Sequence, residues 1–406
     1  MPKLSIRDLD LTGKRVLIRV DFNVPLSKDD SPRILDDTRI RETIPTIEYA
    51  VRRKAKVILC SHLGRPKGKV VPSMSLKPVA IRLRELLDHV LSDEENVGFA
   101  PDCVGEVATE LVMNLEAGQT ILLENLRFHP GEEANDPVFA RKLAALCDIY
   151  VNDAFGSAHR AHASTEGITH FVKQSAAGLL MESELNHLGK ALNMPDKPFV
   201  AIIGGAKVSD KIGVIESLMD KADSILIGGG MAYTFLRAQG QQTGKSLVEE
   251  DKIDVARAAL EQAAAKGVRF LLPVDHVLAD RFDPKARLSR FEGSEAFPEQ
   301  LMALDIGPKT VKLFAAEIAD AQTILWNGPM GVFEFTAFAA GTNAIAKAVA
   351  ANEDATTIVG GGDSVSAIQK SGFASKITHI STGGGASLEF LEGKALPGVE
   401  ALTERN

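Results

Sequence analysis

The chain has 406 residues, 45% of them hydrophobic, and a formal net charge of −8. That length suits two domains better than one core, and the acidic balance, with a pI near 5.7, argues against nucleic acid as a main partner. With a mean hydropathy of +0.01, no apolar leader in Met1-Pro2-Lys3-Leu4-Ser5, no run long enough to cross a bilayer and three unpaired cysteines (Cys60, Cys103, Cys147), we expect a reduced, cytoplasmic globular protein.

Short β-rich runs alternate with longer amphipathic segments from the start, the pattern of a parallel sheet covered by helices. Residues 16–20 run into Asp21-Phe22-Asn23, residues 57–60 into Ser61-His62-Leu63-Gly64-Arg65, residues 120–123 into Glu124-Asn125-Leu126-Arg127, and residues 149–151 into the segment that ends with His159-Arg160-Ala161-His162. Arg39 opens a helix-like segment of its own. If these strands are neighbours, their ends gather Arg39, Arg65, Arg127, Arg160 and His62 on one edge. The planar guanidinium matches carboxylate and phosphate oxygens, so such a gathering predicts a small substrate with more than one negative charge. For any single arginine a surface ion pair is the commoner role; several after successive strands reverse that preference. His159 and His162 are close enough to suggest a metal, but no cysteine or third histidine nearby completes a zinc set, and anion binding is favoured. The cysteines read as small apolar residues.

Met181, Leu185, Leu188 and Leu192 recur at helical spacing, and Pro195 and Pro198 end the run, as in a helical connector. Alternation then resumes at residues 200–203, 225–227, 270–273, 323–326, 357–359 and 377–380, six candidate strands of a second doubly wound sheet. Four of them turn on glycines: Gly204-Gly205, Gly228-Gly229-Gly230, Gly360-Gly361-Gly362 and Gly383-Gly384-Gly385. A strand that turns on glycines into a helix leaves free N–H groups at a positive dipole end, where phosphate is the usual occupant. The competing reading, glycines that merely permit a tight turn, weakens as the device repeats along one sheet edge.

Residues 240–246 resemble a Walker A loop, but three residues separate the glycines where four are required, and a helix-like segment precedes them; we reject it. The dinucleotide fingerprint fails as well, because Val365 and Leu388 stand where its third glycine belongs. Lys207 and Lys211, four apart at the start of a helix, would share a face and reach phosphates. Residues 327–334 offer an apolar slot with a carboxylate, suited to a base and a ribose hydroxyl. Asp363 suits both a magnesium ligand beside polyphosphate and a helix N-cap. The residues alone therefore suggest phosphoryl transfer between two separately held substrates.

The motifs DFNVP (21–25), SHLGRP (61–66), LENLRFHPGE (123–132), DAFGSAHRAH (153–162), GGAKVSDK (204–211), LWNGPMGVFE (325–334), GGGDS (360–364) and STGGGASLEF (381–390) resemble those of the phosphoglycerate kinases, in that family's order and over essentially the whole chain. The resemblance implies two doubly wound parallel-sheet α/β domains joined by a helix and hinge: a 3-phosphoglycerate domain over 1–178, a connector over 179–193, a nucleotide domain over 194–392, and a tail over 393–406 returning to the first domain. It implies a monomer that uses ATP or ADP with Mg2+. Asp21, Phe22, Asn23, Arg39, His62, Leu63, Gly64, Arg65, Arg127 and Arg160 would hold 3-phosphoglycerate or its acyl phosphate. Lys207, Lys211, Gly229, Gly230, Asn327, Pro329, Val332, Glu334, Gly360, Gly361, Gly362, Asp363 and Ser364 would hold the nucleotide, with Asp363 on the metal. Arg39, Lys207, Lys211, Gly362 and Gly385 would serve the transfer itself. Met330 stands where valine is more usual, and Leu179 where many members have proline or phenylalanine. A dinucleotide-dependent dehydrogenase and a two-lobed solute-binding protein are the alternatives; the first should carry the full glycine fingerprint, the second an export signal.

Overall fold

The computed structural model describes residues 2–29, 32–88, 97–293 and 296–405. It divides into two compact units, one built from the chain up to Leu185 together with Ala395 onward, the other from Asn186 to Lys394. The division falls inside the helix Leu179–Asn193. Among the described residues, no helix is long and apolar enough to cross a membrane.

In the first unit, β1 (Arg15–Arg19), β2 (Lys56–Cys60), β3 (Val97–Ala100), β4 (Thr120–Leu123), β5 (Ile149–Asn152) and β6 (Ser175–Ala177) form a parallel sheet in the order β3-β4-β2-β1-β5-β6. The four strands legible in the sequence are the four central neighbours, so their C-terminal loops do lie along one edge. The two unanticipated strands are the edges: β3 carries Gly98, and β6 is a three-residue Ser-Ala-Ala segment, both poor in β-branched side chains. The helix Thr38–Arg52 buries Ile40, Ile47 and Ala50 against the apolar strands, and this brings Arg39 to the same edge. Near the chain's end, Thr403 accepts a backbone bond from Leu4 at 2.7 Å, and Gly398 accepts from Asn152 Nδ2 at 3.0 Å. A Cβ on Gly398 would come within 3.0 Å of the Ala158 backbone, so the tail seats closely against the segment after β5.

In the second unit, β7 (Phe199–Ile203), β8 (Ser224–Ile227), β9 (Arg269–Leu271), β10 (His276–Ala279), β11 (Leu288–Phe291), β12 (Met302–Ile306), β13 (Thr323–Asn327), β14 (Thr356–Gly360) and β15 (His379–Ile380) form two sheets. The larger is parallel, in the order β15-β14-β13-β7-β8-β9, and contains all six strands expected from the sequence. The smaller, β11-β10-β12, is antiparallel and was not anticipated. Its β11 is mostly exposed, and a register irregularity at Val277/Leu278 breaks the alternation by which strands are recognised. Trp326 is wholly buried in the core of this unit, with its indole N–H donated to Gly328 O at 2.7 Å.

Candidate active site

At the edge of the first sheet, Arg39 pairs with Asp21 at 2.9 Å, and Asn23 Oδ1 accepts from the Gly64 N–H at 2.9 Å. Asn125 ties the loops after β2 and β4 together, accepting from Leu63 N and Arg127 N and donating to Leu63 O and Met74 O. Arg127 is buried, donates to Gly64 O at 2.8 Å and lies 3.3 Å from Glu133. Arg65 and Arg160 are exposed. Phe22 and Leu63 bury their side chains in the core, so only their backbones can face a ligand.

Beneath this edge lies Arg19, fully buried and missed by sequence reasoning because it sits inside an apolar strand run. Its guanidinium is 3.0 Å from His62 Nδ1 and donates to Ser164 Oγ at 2.9 Å, and Ser164 in turn donates to Glu132 at 2.6 Å. Burial would raise the Asp21 pKa, but the facing His62 ring, the guanidinium charges of Arg39 and Arg19 and the Asn23 N–H outweigh it and hold Asp21 below the usual carboxylate range. Burial and the neighbouring arginines hold His62 well below the ordinary imidazole range, so at neutral pH the arginines supply the positive field. His162 is pushed down to about 4 by burial and by Arg127, Arg19 and Arg160. The pocket is therefore cationic through its arginines and lined by neutral imidazoles.

In the second unit, a cavity of about 660 Å³ opens at the C-terminal edge of the large sheet. Gly205, Gly229, Gly230, Pro329, Met330, Val332, Glu334 and Asp363 all line it. Its further walls were not foreseen: Leu304 and Asp305 from β12, together with Tyr233, Leu247 and Phe282. Lys245, from the rejected Walker-like segment, also lines it. That segment follows the helix Ala232–Ala238 and hydrogen-bonds Lys245 N to Leu301 O at 2.8 Å, so it forms no phosphate loop. Met330 is buried against Gly228, where an added Cβ would lie 2.5 Å from its sulfur.

The glycine turns divide between the two readings. A Cβ on Gly204 would lie 2.1 Å from Pro329 O, one on Gly229 2.5 Å from Gly205 O, and one on Gly328 2.0 Å from Gly204 O. These glycines let neighbouring turns press backbone on backbone. Gly362 and Gly384 instead face space with nothing within 4 Å. Gly362 begins the helix Gly362–Ser371, and Gly385 begins the helix Gly385–Leu391.

One expectation needs correcting. Lys207 and Lys211 do not share a helix face, because the helix Ile212–Leu218 begins only after Lys211; the 208–211 turn closes first, with Lys211 N bonded to Val208 O at 2.9 Å. Lys207 is exposed. Lys211 is half-buried and donates to Asn327 Oδ1, with its pKa lowered by burial against the opposing pull of Asp210, Asp363 and Glu392. Asn327 is fully buried, and its Nδ2 has no hydrogen-bond partner. Ser364 buries its hydroxyl as the acceptor of Gly328 N–H, so its side chain braces the β13 turn. Gly360 closes β14 beside Asn327, and Asp363 is exposed in the cavity wall.

A cationic pocket on one parallel sheet and a glycine-lined cavity with a lysine and a carboxylate on another define the class of a nucleotide-dependent phosphotransferase. The family model for phosphoglycerate kinase matches residues 6–394. The phosphoglycerate kinase of Acidobacterium capsulatum is 72% identical and that of Koribacter versatilis 68% identical, each over the whole of both chains. A solved structure of phosphoglycerate kinase from Coxiella burnetii superimposes with a TM-score of 0.88 at 44% identity, covering 98% of each chain. The chain belongs to the phosphoglycerate kinase family, and it is an enzyme.

Proposed function

We propose that the protein reversibly transfers a phosphoryl group between 1,3-bisphosphoglycerate and ADP, giving 3-phosphoglycerate and ATP. Full-length membership in the kinase family carries this reading. In the first unit, Arg39, Arg65, Arg127, Arg160, His62, Asp21 and Asn23 hold the anionic glycerate, with Phe22, Leu63 and Gly64 contributing backbone. The Arg19–Ser164–Glu132 chain props His62 from below. In the second unit, the apolar walls around Met330, Val332 and Leu304 take the base, Glu334 takes a ribose hydroxyl, and Lys211 with the 360–363 turn takes the phosphates.

The nucleophile in the ATP-consuming direction is a carboxylate, already ionised at neutral pH, so no general base is needed and catalysis reduces to positioning and charge stabilisation. Arg39, Lys207 and Lys211 supply positive charge to the transferring group in line, and the N–H groups at Gly362 and Gly385 add donors. Asp363 fits a magnesium ion: it is an exposed carboxylate in the cavity wall, beside a Gly362 that leaves open space where phosphate would lie. Magnesium, when bound, would neutralise phosphate charge. Two substrates on two units must be brought together, so we propose closure about the 179–193 helix, which excludes water from the acyl phosphate. The wheat relative, 56% identical over 98% of each chain, is named as cytosolic, which supports a cytoplasmic location here too.

A calorimetric titration with Mg-ADP and, separately, with 3-phosphoglycerate tests the two-pocket assignment. Lys211→Ala should weaken Mg-ADP at least about tenfold and leave 3-phosphoglycerate unchanged. Equal affinity of Lys211→Ala and wild type for Mg-ADP would remove Lys211 from the phosphate site.

A further inference from the structure

Cys103 is wholly buried just beyond β3, where its sulfur lies near two donors of different chemistry, the Asp102 carboxylate and the His129 imidazole. The three ligand atoms lie within 4.8 Å of one another. Asp102 Oδ1 accepts from Cys103 N at 2.6 Å and lies 2.7 Å from His129 Nε2, so the carboxylate is already aimed. The His129 ring is in turn stacked on Phe139, with centroids 5.2 Å apart. A hydrogen bond explains Asp102 with His129, and a small apolar filler explains Cys103. Neither explains a thiol converging on the same point as the other two.

We propose that Asp102, Cys103 and His129 form a binding site for a thiophilic divalent cation of the zinc class, distinct from the magnesium that accompanies the nucleotide. One sulfur, one nitrogen and one oxygen are a set that zinc accepts, with water completing a tetrahedron. A hard cation such as magnesium prefers oxygen ligands and would not be retained. Tetrahedral ligands at ordinary zinc distances sit ~3.5 Å apart, so the sulfur and its partners must draw together from within 4.8 Å while Asp102 Oδ1 and His129 Nε2, hydrogen-bonded at 2.7 Å, part slightly. Asp102 and His129 have room for this, their side chains being 47% and 32% exposed. Binding exchanges the Sγ–H bond for a sulfur–metal bond and releases that proton to water, with no change of oxidation state. Burial pushes the Cys103 thiol well above its ordinary range, so without a cation it stays protonated and inert. Sequence spacing concealed the set, because His129 stands 26 residues beyond Cys103.

Cadmium titration of the full-length protein tests this, read by the ultraviolet thiolate-to-cadmium charge-transfer band, which is independent of activity. We expect one equivalent of band in wild type and in a Cys60→Ala/Cys147→Ala variant, its loss in Cys103→Ala, and zinc but not magnesium as a competitor. Because Cys103→Ala removes a buried group, Asp102→Asn and His129→Gln, which keep the thiol, provide the second reading: each should weaken cadmium by about tenfold or more. No band in wild type, a band that survives Cys103→Ala, or unchanged affinity in both thiol-retaining variants would each overturn the site.

Discussion

Arg39 is half-exposed and already paired with Asp21, so its guanidinium is oriented before substrate arrives. By analogy with arginine fingers, Arg39→Ala should lower turnover by ~10³-fold or more; steady-state turnover within a few-fold of wild type would sink the assignment. Asp153 supports a prediction of another kind. It is wholly buried, accepts from Leu180 N at 3.0 Å and Met181 N at 3.1 Å, and so caps the start of the 179–193 helix. Burial raises its pKa to about 6, against the lowering effect of Thr46 and of those two N–H groups. Because the folded value lies above the unfolded one, the folded state holds the extra proton. The contribution is therefore full below about pH 4 and is lost as pH rises through about 6. Asp153→Asn keeps the accepting oxygen and cannot ionise, so relative to wild type it should gain on the order of 2–3 kcal/mol between those limits. Parallel urea titrations of both proteins at the two pH values check this, and an unchanged difference would contradict it. Arg19 marks the limit of sequence reading at this scale: an arginine inside a strand run looks like a core intruder until its partners His62 and Ser164 are seen.

Among the elements, the glycine turns were legible as a repeated device but not as two kinds of device. Motif spacing reports that a glycine is present, whereas its reason depends on which turn lies opposite in the sheet. Gly204→Ala should press a methyl group into Pro329 O and destabilise the protein by ~1–3 kcal/mol or more, measurable as a fall in the unfolding midpoint. Gly362→Ala should leave that midpoint near wild type yet raise the KM for nucleotide, since the added methyl meets no protein atom and projects where phosphate would lie. If both variants lost stability equally, the division of the turns would be wrong. The antiparallel β10–β12 sheet explains why much of the second unit's cavity wall was missed. Leu304 and Asp305 reach its wall from a strand whose neighbours lie close in sequence but carry no phosphate motif. Asp305 is held there by accepting from Gly341 N and Ile306 N, with burial raising its pKa to about 7.

For the whole molecule, the two parallel sheets, their order-defining strands and the arginine and glycine loops were readable because apolar runs ending in chemistry-bearing loops repeat along the chain. The edge strands of the first sheet, the buried polar struts and the Asp102–Cys103–His129 cluster were not, since each depends on partners far apart in sequence. The proposed closure predicts that the radius of gyration in solution falls when both substrates are present and does not fall with either alone; small-angle scattering that shows no change with both would count against it. The central claim concerns the reaction, and the most direct test is ADP release from Mg-ATP with and without 3-phosphoglycerate, using a coupled enzyme to consume the acyl phosphate. The account predicts release that depends on 3-phosphoglycerate and is abolished by its omission. Release at the same rate without it, or none with it from a protein that still binds Mg-ADP, would contradict the assignment of the arginine pocket.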